Sequence, residues 1–231
     1  MRTLRALVAI ALLAAVVGGC TRQPDPPAGS KRISVHTPDG QTLDGIELGD
    51  GPDVAVLSHG ATGTKEDFYG LASGFARDGW RVIAYDARGV GASTGDEDFD
   101  TRDVDLRAVV DYARRTGART VVLAGGSLGA SLTISMAQEL HADAIVSLSA
   151  PQSTFDAFDA ARRIGSSIPA FVAAAADNQP YADDARRIAT ALHVEPVIVP
   201  GDGHGTGMLR DHPSMIRQIV SWADDAVGRS G

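Results

Sequence analysis

Hydrophobic and polar positions change their period along this chain. Ile33-Ser34-Val35-His36-Thr37 alternates, Pro38-Asp39-Gly40 marks a turn, and Thr42 to Glu47 returns, so two antiparallel, half-buried strands are expected first. From Val54 the alternation gives way to continuous, mainly apolar runs at 54–58, 81–85, 120–124, 144–148, 169–175 and 194–199. Short runs of this kind suit strands buried on both faces. Between them, helical periodicity covers 68–77, 101–115, 128–140, 155–164, 181–192 and 213–227. Strand alternating with helix predicts one α/β domain over residues 32–228. Its eight-stranded, mostly parallel sheet would carry helices on both faces.

The chain before that domain has a different character. Arg2 and Arg5 precede an apolar run from Ala6 to Val17, which ends in Val17-Gly18-Gly19-Cys20. A positive start, a short apolar stretch and small residues at its end describe a secretory signal over residues 1–19. The run is shorter than the ~20 residues that a membrane span needs. Cys20 is the only cysteine, so it has no disulfide partner within the chain. The junction resembles bacterial lipoprotein signals, in which cleavage leaves a lipidated cysteine at the new N-terminus. The resemblance implies acylation of Cys20 and attachment to the extracytoplasmic face of the cell membrane. Residues 20–31 then form a tether, in which Pro24, Pro26 and Pro27 keep the chain extended.

Composition narrows the possible partners. Of the 231 residues 44% are hydrophobic and 22% charged, which suits one globular domain. Loss of residues 1–19 takes away Arg2 and Arg5 and moves the formal charge from −8 to −10. An acidic domain without a basic patch gains no electrostatic help from nucleic acid or anionic lipid, so no nucleic-acid partner is expected. Membrane attachment would come from acyl chains.

The chemistry is concentrated at Gly125-Gly126-Ser127-Leu128-Gly129, a G-x-S-x-G stretch between the strand at 120–124 and the helix from 128. A serine on such a tight strand-to-helix turn is pushed into the open, and the helix start aims N–H groups beside it. A serine nucleophile needs a base. Among six histidines, His204 lies in the Gly-rich loop 200–206 after the last strand, at the carboxyl edge where α/β sites collect. The base in turn needs a carboxylate. Asp177, at the end of the apolar run 170–176, is the leading candidate; Asp183, Asp184 and Asp202 are alternatives. The N–H of Leu128 and a second N–H from the loop 58–63, from Ala61 ahead of Thr62, are the expected oxyanion donors. His59 is expected to orient that loop.

Together these residues resemble the α/β-hydrolase family. Four motifs occur in its order: His59-Gly60, Asp86-Ala87-Arg88-Gly89-Val90-Gly91-Ala92-Ser93, the serine elbow, and the late Asp and His. The resemblance implies the α/β-hydrolase fold, architectural roles for Asp86 and Arg88, and a serine hydrolase of esterase type. Such an enzyme cleaves small-molecule acyl esters through Ser127, His204 and Asp177 with no cofactor or metal. Residues 149–168 leave room for only a short helix, so a minimal lid or none is expected. A thioesterase or peptidase on the same fold, or a non-catalytic surface binding lipoprotein, are the rival readings. The run Asp96, Asp98, Asp100 mimics the start of a calcium loop. Thr101 and Arg107 stand where that loop needs Gly and Glu, so it reads as a solvated helix start.

Overall fold

The computed structural model describes residues 24–229. The segment read as a leader, and Cys20 with it, lies outside them. Eight strands make one sheet: β1 (Lys31–His36), β2 (Thr42–Leu48), β3 (Asp53–Ser58), β4 (Arg81–Tyr85), β5 (Thr120–Gly126), β6 (Ala144–Leu148), β7 (Ala170–Ala175) and β8 (Val197–Val199). The α-helices among the described residues are α1 (Tyr69–Arg77), α2 (Arg102–Arg115), α3 (Leu128–Met136), α4 (Ala157–Ile164), α5 (Tyr181–Ala191), α6 (Gly207–Asp211) and α7 (Ser214–Ala226). The strand order is β1-β2-β4-β3-β5-β6-β7-β8. β1 and β2 are antiparallel, as is the β2–β4 pair, and every later pairing is parallel.

The continuous apolar runs are explained by burial on both faces. Val54, Val56, Val121 and Leu123 face a core shared with Leu106 and Val109 of α2, Leu132 of α3, Ile164 of α4 and Ile188 of α5. Their neighbours Ala55, Leu57, Val122 and Ala124 face a second core with Leu71 and Phe75 of α1, Met208 of α6 and Ile219 of α7. Each such Val or Leu contributes roughly 1.5–3 kcal/mol by leaving water. α3 is buried along all but Ser135, and its buried hydroxyls are satisfied, Ser131 by Pro151 O at 2.7 Å and Thr133 by Ala130 O at 2.9 Å.

The topology creates the crevice that the chemistry needs. From β3 the chain crosses to β4 on one side, then returns to β5 on the other. The loops leaving β3 and β5 therefore diverge at a topological switch point. Ser58 lies level with Gly125, and Gly125 with Ser147, so β3, β5 and β6 end at one rim. Between β6 and β7 lie a 3-10 turn at Thr154–Asp156 and the eight-residue α4. Ala157, Ala160, Ala161 and Ile164 bury one face of α4 against α3 and α5, and no residue of α4 lines the cavity at Ser127. Several local expectations differ from the structure: β8 covers only Val197–Val199 of 194–199, and α4 begins at Ala157 instead of 155. α3 ends at Met136 and the chain continues to 140 in turns. α6 was not foreseen, since five residues are too few for a helical period to register.

Candidate active site

Ser127 sits between β5 and α3 with φ 53° and ψ −122°. A non-glycine residue there is strained by about 1–3 kcal/mol, which the surrounding packing must hold. The turn closes only because its neighbours lack side chains. A methyl group on Gly125 would overlap the Gly129 carbonyl, and one on Gly129 would overlap the Ser58 carbonyl oxygen. A Cβ on Gly60 would press on Ser127 Cβ at 3.2 Å. The Ser127 N–H donates to the Leu148 carbonyl at 2.8 Å, pinning the elbow to the end of β6.

His204 comes from the loop between β8 and α6. Its Nε2 lies 2.7 Å from Ser127 Oγ, a contact across 77 residues of sequence. Its Nδ1 lies 2.7 Å from Asn178 Oδ1. An amide oxygen can only accept, so Nδ1 carries the hydrogen and Nε2 presents its lone pair to the serine hydroxyl. The Tyr181 ring packs on the imidazole, centroids 4.1 Å apart. The next N–H in the loop, that of Gly205, donates to Ser149 Oγ at 3.1 Å and steadies the segment. Burial holds the His204 pKa below its ordinary value, so the ring is a neutral base at neutral pH.

The partner of the histidine is the correction to the sequence reading. Asp177 is exposed, and its carboxylate makes no hydrogen bond to His204. Its N–H is committed to the Gly201 carbonyl at 2.9 Å, two residues past the last β7–β8 pair, Ala175–Val199. The chain then turns, with the Asn178 N–H on Ala175 O, and the residue after Asp177 swings over the imidazole. The other carboxylates considered are elsewhere. Asp183 pairs with Arg186, Asp184 accepts the Gln152 N–H, and Asp202 is exposed. Asn178 and Tyr181 were missed because only acids were sought. The available signal was that Asn178 shares the turn with Asp177.

With this geometry in view, one comparison is decisive: the profile of the alpha/beta hydrolase fold family matches residues 54–195. The chain belongs to the alpha/beta hydrolase fold family. Among solved structures it is similar to an esterase of Pyrococcus furiosus at TM-score 0.73 and 16% identity, covering 85% of this chain and 92% of that one. It is also similar to an α/β serine hydrolase without lid from Xanthomonas campestris, at TM-score 0.67 and 22% identity, covering 89% and 97% of the two chains. A thermophilic esterase of Thermogutta terrifontis gives TM-score 0.68 at 15% identity over 85% and 99%. These likenesses carry the fold. No curated protein matches the chain.

The rest of the hydrolase fold supports the crevice around Ser127. A cavity of about 200 Å³ opens there, lined by Gly60, Ala61, Thr62, Gly126, His204 and Thr206, among others. The Ala61 N–H takes no backbone acceptor among the described residues. Leu128, as first residue of α3, has no carbonyl four residues back within its helix. His59 is buried and fully engaged: Nδ1–H donates to Gly60 O at 2.7 Å, and Nε2 accepts the Ala87 N–H at 3.0 Å. Burial pushes its pKa down to about 4. It therefore shapes the loop carrying Ala61 and has no nitrogen left for proton transfer. Beneath the loop, buried Lys65 reaches Asp86 at 2.5 Å, Asp44 at 3.0 Å and Glu66 at 3.1 Å. Burial opposes its charge, but hydrogen bonds to Asp86 and Asp44 outweigh that and raise its pKa. Arg88 grips Asp105 through Nε and Nη2 at 3.0 and 2.8 Å. In the acidic stretch, Asp98 accepts the Asp100 N–H and Glu97 pairs with Arg102, which are local helix-start contacts.

Proposed function

We propose that this protein is a serine hydrolase of carboxylic esters, with Ser127 as nucleophile, His204 as base and Asn178 as the group that orients it. The observation that carries this is the 2.7 Å contact between Ser127 Oγ and His204 Nε2 on a strained elbow at a helix N-terminus. In the first half-reaction Oγ bonds to the acyl carbon while Nε2 takes the hydroxyl proton. The carbonyl oxygen becomes an oxyanion, with the N–H groups of Ala61 and Leu128 and the start of α3 as its stabilisers. Collapse breaks the bond to the alkoxide, which leaves with the proton from Nε2. Water then repeats the sequence and frees the acid and Ser127.

Asn178 favours esters over amides. It holds the tautomer but brings no negative charge to stabilise the imidazolium, so the site suits leaving groups that need little help. This counts against a peptidase. A fluorophosphonate probe tests the reading: an adduct on Ser127 is expected. Absence of the adduct, or full ester turnover by Ser127→Ala, refutes it.

We further propose that Cys20 is acylated after removal of residues 1–19, holding the domain on the extracytoplasmic membrane surface. The support is the leader pattern and the single cysteine at its end. The mass of the membrane-extracted protein tests it; an unmodified Cys20 refutes it.

A further inference from the structure

The cavity at Ser127 cannot itself recognise much of a substrate. Its lining holds Gly60, Gly63, Gly126 and Gly205 and no large apolar side chain. Sites that bind organic groups draw their affinity mainly from apolar and aromatic walls. A second pocket, of about 410 Å³, lies beside it and shares Asp67 and Thr206 with its lining. It is set between the start of α1 and the pair α6 and α7, and its surface is mainly apolar, from Tyr69, Leu209 and Ile216 among others. Of the charged residues in its lining, Asp67 and Arg210 are exposed, and half-buried Glu66 is paired with Lys65 at 3.1 Å through Oε1 while its Oε2 has no hydrogen-bond partner, so the apolar guest is expected on the Tyr69, Leu209 and Ile216 side of the pocket. The pocket lined by Pro27, Leu48 and Arg77 shares no residue with the catalytic cavity.

We propose that this second pocket receives an uncharged, apolar arm of the ester whose carbonyl sits at Ser127. The proposal rests on the esterase reading and names the substrate class: esters with an uncharged aliphatic arm. Gly70 is the place to close the pocket, because a Cβ added there would stand 3.6 Å from Ile216 Cδ1, in ordinary contact.

Two substrate series test it: p-nitrophenyl esters from acetate to decanoate, and alkyl acetates from methyl to octyl. In one of them kcat/KM should rise about fourfold per methylene until the pocket fills. Gly70→Leu should lower the ratio of long-chain to short-chain kcat/KM at least tenfold, and Ile216→Ala should move the optimum to longer chains. A flat profile in both series overturns the proposal. So does an unchanged ratio in a Gly70→Leu protein that melts like the wild type. Binding of 2-decanone to Ser127→Ala, followed by amide shifts at Gly70 and Ile216, separates the two readings. Shifts there without turnover of any ester by the wild type refute the esterase reading alone. Their absence refutes the pocket assignment.

Discussion

Asn178 Oδ1 and His204 Nδ1 meet at 2.7 Å, so an amide stands where the imidazole would profit from a carboxylate. The amide accepts Nδ1–H and fixes which nitrogen faces Ser127, but it adds no charge. Asn178→Asp should raise kcat toward p-nitrophenyl acetate at pH 8 by about tenfold or more, since an anion there stabilises the developing imidazolium. Steady-state kinetics of the two proteins checks this; an unchanged or lower kcat places the limiting barrier elsewhere.

The same pair sets the acid limb of the pH profile. His204 must be neutral to act, and burial lowers its pKa. Wild-type kcat/KM should therefore hold constant as pH falls toward neutrality and drop with a midpoint below the ordinary histidine value of about 6.5. Asn178→Asp favours the protonated ring and should move that midpoint upward by about one unit or more. A pH–rate series on both proteins reads the displacement directly.

Gly129 is required by close approach, not by its φ. A methyl there would run into the carbonyl oxygen of Ser58, which belongs to a buried strand. Gly129→Ala should cost about 1–3 kcal/mol in urea unfolding, the range for overpacking. The elbow should also be displaced, with loss of probe labelling at Ser127.

His59 links the loop after β3 to stability. Its folded pKa, near 4, lies below the unfolded value of about 6.5. The unfolded chain thus binds the extra proton in that window, and stability falls as pH drops from 6.5 toward 4. The slope due to this one group is about 1.4 kcal/mol per pH unit at most. His59→Gln should remove that part of the slope in denaturation curves collected between pH 6 and 4.5. An identical slope in both proteins would mean that His59 is not the buried neutral base described above.

The tether bears on substrate delivery if Cys20 is acylated as proposed. Pro24 lines the apolar pocket beside the catalytic cavity. Only three residues lie between it and Cys20, so the four Cα-to-Cα steps reach at most ~14 Å. The pocket would then be held close to the bilayer. A twenty-residue Gly-Ser insertion after Cys20 should lower turnover of vesicle-borne esters and leave that of a soluble acetate unchanged. Equal rates on vesicle-borne esters would show that the short tether gives no advantage.

Much of the site was legible because its signals are local. The elbow needs glycines at 125 and 129 around Ser127, and such a constraint is visible in five consecutive letters. The His204 loop follows the last strand and so had to end at the same rim as the elbow. The loop after β3 announced itself as His59-Gly60, and in the structure His59 does brace it through Gly60 and Ala87. The histidine's partner was not legible. Between Asp177 and Asn178 the decision lay in the phase of a turn, set by where Asp177 N–H and Asn178 N–H find their acceptors. Periodicity carries no information about that.

The amino-acid order by itself determined the alternation of strand and helix, the burial of the central strands on both faces, and the place of the serine and histidine at one edge. Those follow from hydrophobic period and glycine placement, which act over a few residues. Only the tertiary structure decided that an amide meets Nδ1 and that α1, α6 and α7 enclose an apolar pocket beside the reacting groups. Both depend on segments far apart in the chain coming to rest within a few ångströms of one another. Side-chain direction at that range is set by packing and backbone hydrogen bonds, not by the letters nearby.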